Sequence, residues 1–128
     1  MAQSNTPIPD DVRRFLGAAI DSVPHLEALL LLRGAPDASW SAATLAPRLY
    51  VSIDRARGLL EDLSERGLFR ATGERYEFAP SDRATAATVD RLAEVYARNV
   101  VGVAEMIHTK PGQPAQHFAE AFRLRKEK

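Results

Sequence analysis

Apolar residues recur along most of this chain at the spacing of helices rather than strands. Val12, Phe15, Leu16, Ala19 and Ile20 share one helical face, which predicts a helix over 11–20 capped by Asp10. Leu26, Leu29, Leu30 and the leucines after them predict a second helix, over 23–33, between Ser22 and Gly34. Pro24 is tolerated there because it falls in the first turn. Ala35-Pro36-Asp37-Ala38 reads as a turn. Ser41 is the next good cap, since its hydroxyl can accept a bond from an unpaired backbone N–H, and Trp40 and Leu45 flank it at the spacing of a hydrophobic staple. The helix it opens, over 42–49, is expected to be short or bent, because Pro47 removes a backbone bond. Ser52 caps a fourth helix in which Ile53, Leu59, Leu60 and Leu63 recur, and Gly67 supplies a left-handed stop.

The period then shortens. Arg70–Phe78 reads as a hairpin with Tyr76 and Phe78 on one face and Arg75 and Glu77 on the other. After Pro80 the helical period returns. Residues 82–108 contain no proline, and Val89, Leu92, Tyr96, Val100, Val103 and Ile107 follow one another by three or four. That stripe predicts one continuous helix of roughly seven turns. Lys110-Pro111-Gly112-Gln113-Pro114 ends it, and a last helix over about 115–125 would set Phe118 and Phe122 one turn apart. The expected fold is mainly α with a small β-hairpin: a loose arm over 1–9, a domain over 10–80 and a helical extension over 81–128. The long stripe needs a cover. Either helix 11–20 and the C-terminal helix supply it, or a second copy does, which would make Val89, Leu92, Tyr96, Val100, Val103 and Ile107 a dimerisation face.

Two short helices joined by a tight turn and followed at once by a hairpin give residues 41–79 a known layout. Leu59…Leu63…Gly67-Leu68 followed by Arg70…Gly73…Tyr76 resembles the winged helix-turn-helix superfamily, including bacterial regulators of the MarR and PadR kind. The likeness spans about residues 22–80. The ending Phe118-Ala119-Glu120-Ala121-Phe122-Arg123-Leu124-Arg125-Lys126 is similar to a group of small, uncharacterised bacterial winged-helix proteins, and brings no known chemistry. The resemblance implies that helix 52–66 enters a DNA major groove with its first turns at the base edges. Arg48, Ser52, Arg55, Arg57, Arg70 and Arg75 are then the candidate DNA-binding residues, with Thr44 and Tyr50 as further phosphate contacts. The implied function is that of a homodimeric transcriptional regulator on double-stranded DNA.

Charge complicates that expectation. The chain carries 17 basic and 17 acidic residues. Residues 1–80 hold 9 Arg against 11 Asp or Glu, and helix 52–66 sets three Arg against Asp54, Glu61, Asp62 and Glu65. A duplex binder gains most of its non-specific affinity by neutralising phosphates, and this is no basic stripe. The competing reading is a solvated face with ion pairs Arg57–Glu61 and Asp62–Arg66, on a module that binds another protein. Arg123, Arg125, Lys126 and Lys128 form a short basic ending, which suits a phosphate backbone or simply a helix C-terminus.

Other chemistry finds little support. With no cysteine there is no disulfide or thiolate site, and His25, His108 and His117 lie too far apart for a zinc motif. No phosphate loop and no triad spacing are present, so neither enzyme activity nor a cofactor is expected. Tyr96, Phe15 and Phe118 could line an effector pocket, though aromatics at this spacing are more often core. At 128 residues, 45% hydrophobic and 27% charged, the chain reads as one soluble domain. The longest apolar run, Ala28–Leu32, is far short of the roughly 20 residues that cross a bilayer. Met1–Asp10 lacks the pattern of a signal peptide. A cytoplasmic bacterial protein with no membrane contact is the expectation.

Overall fold

The computed structural model describes residues 7–109. Among them six helices and one two-stranded antiparallel hairpin follow in the order α1 (Asp10–Ala19), α2 (Val23–Gly34), α3 (Ala42–Leu49), α4 (Ile53–Glu65), β1 (Phe69–Thr72), β2 (Arg75–Phe78), α5 (Arg83–Arg98) and α6 (Val100–His108). The expected final helix over 115–125, with Phe118, Phe122 and the basic ending, lies outside the described residues, as does most of the 1–9 arm.

Most boundaries are set by local chemistry. Ser22, Ser41 and Ser52 each accept a backbone N–H three residues on, and Thr44 completes a reciprocal capping box with Ser41. Asp10 does not cap α1; Pro9 holds that place without a side-chain bond, and Asp10 is the first helical residue. Pro47 sits inside α3, which ends two residues later at Leu49 and is followed by Tyr50, a left-handed residue with φ 59°. Gly67, at φ 81°, lets α4 end with Leu68 N–H donating to Leu63 O and Gly67 N–H to Ser64 O. A two-residue turn led by Gly73, at φ 63°, joins β1 to β2.

The core is one cluster. It runs from Val12 and Leu16 of α1 through Leu26, Leu29 and Leu32 of α2, Leu45 of α3 and Leu59, Leu60 and Leu63 of α4, to Val89, Leu92, Val103 and Ile107. Trp40 adds a residue to the sheet: it exchanges both backbone hydrogen bonds with Tyr76, at 2.8 and 2.7 Å. Tyr76 and Phe78 pack against the core, as the alternation of the hairpin requires.

Two expectations are corrected. Residues 82–108 do not form one helix. Asn99 leaves the helical region (φ −148°, ψ 63°), and its side chain caps a new helix by accepting from Gly102 N–H at 2.9 Å. The break lets both α5 and α6 pack against α1. The stripe is consequently spent inside the chain: Val89, Leu92 and Val103 are fully buried and Ile107 nearly so, while Tyr96 is half-buried against the core. Only Val100, at 49%, is substantially exposed among the six. Ion pairs fasten α5 in place: Arg91 binds Asp11 of α1, and Arg33 of α2 lies 3.0 Å from Asp90.

Candidate nucleic-acid interface

The unit formed by α3, the turn at Tyr50–Ser52, α4 and the hairpin carries every candidate residue. α4 buries Ala56, Leu59, Leu60 and Leu63, so its opposite face points away from the core. Asp54 and Glu61 are exposed on it, Arg55 is exposed on one flank and Ile53 and Arg57 on the other. Tyr50 stands beside them with 95% of its surface exposed, in a backbone conformation that costs a non-glycine residue roughly 1–2 kcal/mol.

Each candidate arginine has a contact within the chain. Arg57 Nη1 lies 2.8 Å from Asp54 Oδ1, not against Glu61. Arg70 bonds Glu77 across the hairpin, at 2.7 Å from Nη2 and 3.1 Å from Nε to the same oxygen. Arg75 donates to the hydroxyl and the carbonyl of Ser39, at 2.8 and 3.0 Å. The Arg48 guanidinium stacks 5.5 Å from the centre of the Trp40 ring, a cation–π contact. Arg55 makes only a long contact, 3.5 Å, with the hydroxyl of Ser22, and none of the ion pairs among the described residues includes it. Ser52 is occupied as the cap of α4.

A polar network behind this face was not legible in the spacing. His25, 4% exposed, brings Nε2 to 2.8 Å from Asp62 Oδ2 and Nδ1 to 2.6 Å from Ser22 Oγ. The bonds are mutually satisfied when Ser22 donates to Nδ1 and Nε2–H donates to Asp62, while Ser22 Oγ accepts from His25 N–H and Arg55. Serine, histidine and aspartate meet here, with the hydroxyl, which also caps α2, on Nδ1 and the carboxylate on Nε2. The expected Asp62–Arg66 pair is replaced: Arg66 reaches Asp21 at 2.7 Å and the Ala19 carbonyl at 2.9 Å. These partners are 37 to 47 positions apart, beyond any helical spacing rule.

Between the start of α3, α4 and the hairpin lies an open groove of about 430 Å³. Ala42, Ala43, Ile53 and Tyr76 give it apolar walls, while Arg57, Glu61 and Glu74 supply charge. The suggested effector residues Phe15 and Tyr96 both pack on the core. Burial, and then the nearby Glu27 carboxylate, push the Tyr96 hydroxyl above its ordinary range. No metal-binding group of His, Cys, Asp or Glu occurs among the described residues. No single described helix is long and apolar enough to cross a membrane.

In comparisons with known proteins, no family model, no curated protein and no solved structure matches the chain.

Proposed function

We propose that this protein binds double-stranded DNA as a regulator of the winged helix-turn-helix type, with α4 in the major groove and the β1–β2 hairpin as the wing. The observation that carries the reading is the outer face of α4. Arg55 and Arg57 flank that face on opposite sides near the helix start, and these two and Tyr50 are all exposed. The backbone bridge of Trp40 to Tyr76 supports the same arrangement, because it ties the wing to the start of α3.

The local ion pairs do not prevent binding. Exposed pairs such as Arg57–Asp54 and Arg70–Glu77 are worth roughly 0–1 kcal/mol, and a phosphate can take the place of the carboxylate. They do set a price on non-specific affinity. Fluorescence anisotropy of the protein on a mixed-sequence duplex, titrated from about 20 to 200 mM salt, tests the reading. Affinity should fall steeply on a log–log salt plot; no binding at the lowest salt would overturn it.

A homodimer remains part of this proposal, but its contact must differ from the stripe read in the sequence. With four of those six side chains buried in one chain, Val100 and Val101, 49% and 62% exposed at the start of α6, are the apolar surface left near it. The second reading, a protein-interaction module without DNA binding, is favoured by one observation. Glu61 and Glu74 face into the groove that Arg57 also lines, so a cationic, partly apolar segment of another protein would fit it.

A further inference from the structure

The groove between α3, α4 and the hairpin carries more negative charge than its neighbours neutralise. Ile53, Arg57 and Glu61 follow one another at four-residue spacing along α4 and form one wall, and Glu74 lines the groove from the hairpin turn. Arg57 is held by Asp54 at 2.8 Å. No ion pair among the described residues includes Glu61 or Glu74, and both are exposed. Beside these carboxylates the lining is apolar: Ala42 and Ala43 of α3, Tyr76 of β2, and Ile53, 49% exposed. Such a lining favours an occupant that is cationic and apolar at once.

A segment of that composition belongs to this chain. Residues 110–128 lie outside the described part of the structure. They carry five basic and two acidic residues, net +3, while the rest of the chain carries 12 basic and 15 acidic, net −3. Phe118 and Phe122 come just before Arg123, Arg125, Lys126 and Lys128, so rings for the apolar walls and cations for the carboxylates lie close together. These 19 positions, fully extended, span up to roughly 60 Å, and a domain of about 100 residues is roughly 35 Å across. The segment can therefore reach the groove from the end of α6.

We propose that residues 110–128 dock within the same molecule into the groove of α3, α4 and the hairpin, with Phe118 and Phe122 against Ile53 and Tyr76 and the basic residues at Glu61 and Glu74. Being part of the same chain, the segment meets the groove at an effective concentration on the order of millimolar, which a second copy at micromolar concentration does not match. Once docked, it covers Ile53 and Arg57 and competes with any other molecule that meets this side of α4. The inference does not depend on the DNA-binding reading.

Carbodiimide cross-linking of the full chain, read by peptide mass spectrometry, tests the docking, because it joins a lysine amine to a carboxylate only where the two touch. The chain's three lysines, Lys110, Lys126 and Lys128, all lie in the segment, so each lysine bond reports where the segment rests. At about 20 mM salt, bonds from Lys126 or Lys128 to Glu61 or Glu74 should dominate the monomeric product over those to the exposed Asp37, Glu94 and Glu105. They should fade towards about 500 mM salt as the attraction is screened. The Phe118→Ala/Phe122→Ala variant keeps every charge, yet should weaken docking roughly tenfold or more and cut the groove bonds. Bonds scattered over the surface, groove bonds confined to covalent dimers, or groove bonds undiminished in the double variant would each overturn the proposal. No duplex is present, so any of these results leaves the DNA-binding reading untouched.

Discussion

His25 Nε2 lies 2.8 Å from Asp62 Oδ2, which ties the first turn of α2 to the last turns of α4. The bond crosses a buried boundary, and it fixes the rotation of α4 about its axis and hence which side chains face outward. His25→Ala leaves Asp62 and Ser22 without their partner and opens a void. The expected cost is about 1–3 kcal/mol. Thermal unfolding followed by circular dichroism should show a clear fall in Tm, whereas an unchanged Tm would mean that core packing alone sets the rotation.

On the proposed DNA-binding reading, stability and binding are opposed at Tyr50 and Gly58. Tyr50→Gly relieves the left-handed strain and should stabilise the fold by about 1 kcal/mol. Gly58→Ala should add a similar amount, about 0.5–1 kcal/mol, since its methyl group meets no clash. Both variants should bind duplex DNA more weakly than the native chain despite higher melting temperatures. A variant that is more stable and binds equally well would remove that residue from the interface.

Gly102 is bound to the helix break. A Cβ there would collide with Asn99 Nδ2 and lie 2.7 Å from Cγ, so Gly102→Ala must expel the buried side chain that caps α6. Loss of such a cap costs about 1 kcal/mol. Amide exchange in α6 should accelerate in this variant, with α3 and α4 little affected. Equal protection throughout would argue that the cap is not what holds α6.

Two carboxylates give the fold an acid limit. The Asp82 carboxyl is held below its ordinary value chiefly by the Thr85 backbone N–H at 2.7 Å, and that of Asp11 chiefly by its bond to Arg91. A depressed folded-state pKa contributes stability that is fully present above the unfolded value, near 3.8, and is lost as pH falls through the lower folded value. Tm should therefore decline below that pH. The decline should be shallower in Asp82→Asn, which keeps a capping oxygen without the charge; identical acid limbs would contradict the assignment.

The local signals in the sequence located most elements. Ser22, Ser41 and Ser52 mark helix starts, Gly67 marks a stop, and the alternation to Phe78 marks the hairpin, because each acts through atoms a few residues away. The break at Asn99 escaped because steps of three and four from Val89 to Ile107 continue through it. Apolar spacing reports which residues face a core and is blind to a change of axis. Asn99 followed at three residues by Gly102 was the available sign, an N-cap residue facing a position without a side chain. The partners of the candidate arginines were not legible. Ser39, the partner of Arg75, and Ser22, that of Arg55, come from distant parts of the chain, and only the fold brings them together.

On the proposed reading α4 presents arginines to a duplex, and the Arg55→Ala/Arg57→Ala double variant is the sharpest test of it. Both residues are exposed, so Tm should hold within about 3 °C for surface changes of this kind. If they meet DNA, duplex affinity should fall sharply and the slope of log affinity against log salt should drop by up to roughly two. A double variant that binds the same duplex with the same affinity and the same salt slope would contradict the account.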